Sequence, residues 1–276
     1  MDPLVPRIPS RRRQRRDYGV AMDLEQEHPL SGGNTTEGVV RLGDTVRKPW
    51  EPTTPAVHEL MRTVAAAGID VPEPRGRDER GRQVLEFVPG SLALDSPPLP
   101  LEQLADVGAL IRRIHDACEG FRPSAPAPWE PLLPVPVPCG RADLICHGDL
   151  TPWNLILGER RVFIDWDGAG PSTRLWDLAY SAQAFCVNDV GAVPEEAATR
   201  LAALIDGYAA SPALRAELPA AMSARAEAMW RMLRDAHREG REPWGSMFVT
   251  GHGEHWRGVA EYVERHREVW VEALTE

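Results

Sequence analysis

The chain has 276 residues, 43% hydrophobic and 26% charged, with a formal net charge of −10. That length suffices for one large domain or two lobes, no apolar run approaches the ~20 residues of a membrane helix, and the acidic balance argues against nucleic acid as the main partner. Arginines near the N-terminus lack a following apolar stretch and so do not make a secretory signal, while the four cysteines form no CxxC pair and do not indicate zinc, which leaves the expectation of a cytoplasmic protein with free, buried thiols and no membrane partner. Residues 1–28, with Arg11, Arg12, Arg13, Arg15 and Arg16, show no hydrophobic periodicity and are expected to be a disordered tail. Residues 29–89 read as a small β-rich lobe. Val39–Leu42 is strand-like, Gly43-Asp44 turns, and Thr45–Lys48 resumes the strand. Pro55 to Gly68 reads as a helix with Leu60, Met61 and Val64 on one face. Val84–Val88 is a further strand, closed by Pro89-Gly90.

Past Pro89 the period changes from two to 3.6, and residues 90–276 are expected to form a larger, mainly helical lobe. Residues 91–100 read as a linker. Leu104, Val107, Ile111 and Ile114 mark an amphipathic helix, and the proline-dense stretch 123–138 excludes one. After 195 three helical stripes follow: Leu201 to Tyr208, Met222 to Leu233, and Tyr262, His266 and Trp270. The expected class is therefore α+β, with an antiparallel sheet and one helix preceding the helical part.

The chemistry-bearing stretch runs from Cys146 to Ala179. It holds Cys146-His147-Gly148-Asp149-Leu150-Thr151-Pro152-Trp153-Asn154, then Val162-Phe163-Ile164-Asp165-Trp166-Asp167, then Leu175-Trp176-Asp177-Leu178-Ala179. Asp149 and Asn154 lie on a proline-interrupted loop, and Asp165 follows an apolar strand. One Asp can orient a hydroxyl and accept its proton, while an Asn with a second Asp can hold a hard cation such as Mg²⁺. Phosphoryl transfer needs little beyond positioning and charge neutralisation.

His-Gly-Asp-x-x-x-x-Asn followed by Ile-Asp-Trp resembles the signature of the aminoglycoside phosphotransferase family, which has a protein-kinase-like two-lobed fold. The resemblance implies an ATP- or GTP-dependent, Mg²⁺-dependent transfer of the γ-phosphoryl group to a small-molecule hydroxyl. It implies Asp149 as catalytic base, Asn154 and Asp165 as metal ligands, and His147 and Asp177 as braces. It places the phosphate-covering hairpin at Gly32, Gly33 and Asn34, where small residues let backbone N–H groups approach phosphate. It implies a strand cation, Lys48 or Arg47, with Lys48 preferred because Val46 repeats the same-face spacing. The helix partner would be Glu59, with His58 as the alternative, and Glu86, Phe87 and Val88 would form the hinge that meets the base. The chain lacks the Gly-x-x-x-x-Gly-Lys-Ser/Thr of P-loop enzymes.

The acceptor is left open by the sequence, a cationic compound being one candidate, as is the choice between monomer and homodimer. The alternative function is a catalytically idle kinase-fold protein that binds a ligand for immunity or regulation. An intact set of Asp149, Asn154 and Asp165 argues for the enzyme.

Overall fold

The computed structural model describes residues 26–30 and 38–275. Its N-terminal part is a five-stranded antiparallel sheet: β1 (His28–Pro29), β2 (Val40–Leu42), β3 (Thr45–Lys48), β4 (Pro74–Arg77) and β5 (Gln83–Glu86), in the order β1-β2-β3-β5-β4. Gly43 takes the positive φ of 61° that turns β2 back into β3. Helix α1 (Thr54–Ala66) has proline in its first turn and buries Ala56, Val57, Leu60, Met61 and Val64. Gly68, at φ 75°, follows its end.

After Pro89 helices dominate, as the change of period predicts. They are α2 (Leu101–Cys118), α3 (Arg174–Cys186), α4 (Pro194–Tyr208), α5 (Pro212–Glu239), the short α6 (Trp244–Met247), α7 (Gly253–Arg265) and α8 (Arg267–Thr275). Two small antiparallel units are built largely from the chain between α2 and α3. One pairs β7 (Leu144–Cys146) with β10 (Gly170–Ser172). The other joins β8 (Leu155–Leu157) and β9 (Arg161–Phe163) with β6 (Ser91–Leu92). The expected linker 91–100 is thus structured at its start, where Ser91 and Leu92 pair with Leu157 and Ile156 and the turn Ala93–Asp95 follows. The proline-dense stretch holds no α-helix, only the 3-10 turn Val137–Cys139. The last stripe crosses a break at His266 between α7 and α8, yet its rings still pack, with Tyr262 5.0 Å from His266 and 5.8 Å from Trp270.

The main core cluster runs from α1 through α2 to α8, beside a small one of Val88, Ile156 and Val162. Helices α2 and α4 cross at two glycines. A Cβ on Gly108 would lie 2.0 Å from the Leu204 carbonyl oxygen, and one on Gly207 would lie 1.9 Å from that of Ala105. Only backbone fits at that crossing. All four cysteines are free and buried. Among the described residues, no helix is long and apolar enough to cross a membrane.

Candidate active site

The loop from His147 to Asn154 runs from β7 to β8, and Asp165 follows β9. His147 is fully buried. Its Nε2 lies 3.2 Å from the Ile164 carbonyl oxygen, and its Nδ1 accepts the Asp149 N–H at 3.2 Å. Burial holds this imidazole below its ordinary pKa, so the neutral ring ties the loop to the strand end. Gly148 sits at φ 83°, and a Cβ there would meet the Gly168 carbonyl oxygen at 2.6 Å. Asp177 completes the brace. One of its oxygens accepts the Gly148 N–H at 3.0 Å, and the other faces His115 Nε2 at 3.0 Å. His115 Nδ1 lies 2.8 Å from the Tyr208 hydroxyl.

His115, Cys146 and Asp177 also place their ligand atoms within 4.8 Å of one another. Both imidazole nitrogens are already taken, however, and burial pushes the Cys146 thiol well up. The trio is a hydrogen-bonded support rather than a metal cage.

Asp149 is surrounded by donors. Thr151 Oγ1 donates at 3.1 Å, Trp153 Nε1 reaches both oxygens at 3.1 and 3.2 Å, and Asn154 Nδ2 donates at 2.8 Å. Burial pushes its carboxyl up to about 6, helped by the neighbouring Asp165 charge and opposed by the hydrogen bonds from Trp153 and Thr151. Asn154 Nδ2 also donates to the Asp149 carbonyl oxygen at 3.1 Å, which leaves its Oδ1 as the free amide oxygen. Asp165 is held in the left-handed region, at φ 64° and ψ 59°.

Lys48 is buried, 6% exposed, and reaches across from β3. Its Nζ lies 2.5 Å from Asp165 Oδ1 and 2.5 Å from Asp167 Oδ2. Burial alone would push the lysine down, but the two carboxylates more than offset it and hold it above its ordinary value. The same ammonium holds Asp165 below the usual carboxylate range despite its burial. Asp167 Oδ1 accepts from Gln83 Nε2 at 3.0 Å, and Gln83 Oε1 faces His58 Nε2 at 3.3 Å. Arg47, the alternative strand cation, turns the other way, to Thr45 and Asp78.

The expected Lys48–Glu59 pair is corrected by this geometry. Glu59 sits about 100° around the helix from His58 and accepts the Ser124 N–H at 2.7 Å, together with the Ser124 hydroxyl. His58 points inward, 2% exposed. Of the hinge residues, Glu86 pairs with Arg160, Phe87 lies under the Arg41 guanidinium at 3.7 Å, and Val88 packs with Ile156 and Val162. The Phe87 N–H donates to the Asp44 carbonyl at 2.8 Å and so is taken. Gly32, Gly33 and Asn34 lie outside the described residues.

Sequence reasoning missed two groups. Asp167 stood in the quoted motif without a role, and its contact with Lys48 spans the fold. Arg225, on α5, stands beside an aromatic group: its guanidinium lies 3.8 Å over the Tyr180 ring, and Tyr180 lies 5.9 Å from Trp153 and 6.0 Å from Trp256. No spacing rule singles out one arginine in a helix. The glutamates 239, 242, 254, 261, 264 and 268 are all exposed, and Glu239, Glu261 and Glu264 pair with Arg241, Arg257 and Arg267.

The chain is 33% identical over 153 residues to the trifolitoxin immunity protein of Rhizobium leguminosarum bv. trifolii, a match covering 54% of this chain and 58% of that protein. The match thus spans little more than half the length of that relative. Among solved structures, a choline/ethanolamine kinase family protein from Mesorhizobium loti is 19% identical at a TM-score of 0.55, covering 91% of this chain and 92% of that one. An amicoumacin kinase, solved with AMP-PNP and Ca²⁺, is 15% identical at 0.60, covering 87% and 89%. A microcompartment-associated aminopropanol kinase is likewise 15% identical at 0.60, covering 87% and 92%. At such identities the likeness speaks for a kinase-like fold. The model of the phosphotransferase enzyme family matches residues 30–134 and 123–218, and the chain belongs to that family.

Proposed function

We propose that the chain is a small-molecule kinase that transfers the γ-phosphoryl group of ATP or GTP to a hydroxyl. The observation that carries this reading is the joint placement of Asp149, Asn154, Asp165 and Lys48, drawn from β3, the 147–154 loop and the end of β9. The donor set suits a hard cation: the Asp165 and Asp167 carboxylates and the free amide oxygen of Asn154 are all oxygens. Mg²⁺ bound there would neutralise phosphate charge.

Asp149 receives the acceptor. Its carboxylate accepts a hydrogen bond from the hydroxyl and orients the oxygen for in-line attack on the γ-phosphorus. The new O–P bond forms as the bond to the β-phosphate oxygen breaks. That oxygen keeps the electron pair in the departing nucleoside diphosphate, and the hydroxyl proton passes to Asp149. Asn154 keeps Asp149 in place through its amide N–H donors. Lys48, now paired with two carboxylates, would turn to the α- and β-phosphates. The base would meet Glu86–Val88 through groups other than the Phe87 N–H. The same reading places the protein in the cytoplasm, with the boundary between nucleotide-binding and acceptor-binding regions near Pro89.

A second reading is favoured by the immunity protein relative: a kinase-fold protein that sequesters a toxic ligand without turnover. The two separate in one experiment. ADP release is measured with MgATP and a library of hydroxyl acceptors, beside the Asp149→Asn variant. The enzyme reading expects turnover, a kcat loss of about 10²–10⁴-fold in the variant and a nucleotide Kd nearly unchanged. Nucleotide binding without turnover on any acceptor would favour sequestration. Full activity in Asp149→Asn would end the catalytic assignment.

A further inference from the structure

Arg225 is an unusual charge. Its side chain is only 6% exposed, and its Nε and Nη1 are enclosed without a hydrogen-bond partner. Among the described residues, no carboxylate pairs with it. The nearby acids are committed elsewhere: Asp149 to Thr151, Trp153 and Asn154, and Asp177 to His115 and Gly148. What surrounds the guanidinium is aromatic, the Tyr180 ring at 3.8 Å and the Trp176 ring at 5.5 Å. Such stacking recovers part of the desolvation cost but satisfies none of the N–H donors. A buried charge without a partner is strongly unfavourable, and arginine cannot shed its proton to escape. The group is therefore poised for an anion that comes from outside the chain.

Its position says which anion. From Asp149 the contacts run through the Trp153 indole to Tyr180 and on to Arg225. From the other side of Asp149 they run through Asn154 toward Asp165 and Lys48, the groups assigned above to phosphate and metal. Arg225 belongs to the aromatic chain of contacts, which also contains Trp256. An acceptor whose hydroxyl meets Asp149 would rest on the half-buried Trp153 indole, since the Tyr180 and Trp256 rings are themselves buried, and extend its far end toward the guanidinium.

We propose that Arg225 binds a carboxylate of the acceptor, so that the substrate class is hydroxyl-bearing carboxylic acids rather than polycations. This rests on the phosphotransferase reading. The exposed, arginine-paired glutamates of the C-terminal helices agree with it, because they form no inward acidic cage for a cation. A planar guanidinium matches the two carboxylate oxygens in a way that a lysine would not.

The test uses the full chain and hydroxyl acceptors in matched triplets, with carboxylate, carboxamide or ammonium at the same position on alkyl, sugar and aromatic frames. ADP release is the readout. MgATP affinity by calorimetry and the melting temperature are followed in parallel. The carboxylate members should be the best substrates. Arg225→Met should lower their kcat/KM about 30-fold or more while changing the amides by under about threefold. Arg225→Lys, which keeps the charge and loses the fork, should fall between. MgATP affinity should not move, and the Arg225→Met melting temperature should hold or rise, because an unpaired buried charge has been removed.

A best substrate among the amides or ammonium compounds would overturn the proposal. So would an equal loss across all three sets, which would place Arg225 on the transferring phosphoryl group. So would a fall in melting temperature that takes every activity with it, or absence of turnover in all three sets while MgATP still binds. Failure to bind MgATP at all would instead strike the phosphotransferase reading.

Discussion

The two sides of Asp149 handle charge in opposite ways. On the side of the N-terminal sheet the ions that face the loop are answered: Lys48 by Asp165 and Asp167, Asp167 in turn by Gln83. On the side of α3 and α5 a guanidinium is buried with rings and no counter-ion. A self-satisfied network must exchange internal partners for its ligand, whereas an unsatisfied one is completed by it. The first arrangement suits a ligand common to many kinases. The second is where a particular acceptor would be recognised.

The largest effect expected on the paired side comes from Asp165→Asn. It keeps the size of the side chain and a residue type that tolerates the left-handed backbone at φ 64°, but it removes a carboxylate from Lys48 and from the cation. Mg²⁺-dependent nucleotide binding should be lost to calorimetry while the helical circular dichroism is retained. MgATP binding as tight as in the parent would break the assignment of this side to phosphate and metal.

A middle-sized effect concerns Asp149, which stands between the two sides. Its folded-state carboxyl is pushed up to about 6, above the ordinary ~3.9 of an unfolded chain. The folded state therefore holds this proton more tightly. Stability from the protonated form is complete below ~4 and is lost as the pH rises through 6, at a cost of about 2–3 kcal/mol. Asp149→Asn cannot pay that cost, so the stability difference between parent and variant, measured by urea denaturation without nucleotide or metal, should change between pH 8 and pH 4 and level off at both ends. A difference independent of pH would place Asp149 in a more polar setting than its four donor contacts describe.

The smallest effect is expected from Glu59→Gln. Glu59 contacts Ser124 and not Lys48, so nucleotide affinity should stay within about twofold and stability within about 0.5 kcal/mol. A tenfold loss of nucleotide affinity would restore the pairing that the resemblance implied.

Period and punctuation made most of the fold legible. The β2–β3 hairpin, α1, α2 and the helical C-terminal part follow from alternation, apolar stripes and proline placement. The motif brought Asp149, Asn154 and Asp165 to one place because four residues of loop and the short hairpin β8–β9 separate them. The helix phase also held a signal that chemistry obscured. His58 is three residues before Met61 and so shares its buried face, whereas the resemblance implies a glutamate as the partner of the lysine. Asp167 and Arg225 needed the fold itself. Asp167 meets β3 from far along the chain, and Arg225 is one of five arginines on α5, none of the other four being buried. Nothing local marks the one that turns inward.

The glycine crossing of α2 and α4 reaches further than packing. His115 lies two turns beyond Gly108 on α2, and Tyr208 follows Gly207 on α4. These two side chains are joined at 2.8 Å and hold Asp177, which holds the Gly148 N–H. The spacing of two helix backbones thus sets the posture of the loop that carries Asp149. The loop is thereby tied to the bundle, and its shape should be lost as the bundle opens. Substitutions at the α2–α4 seam are therefore expected to loosen this loop and the bundle together, which hydrogen exchange at the loop amides, followed beside the melting temperature, would check.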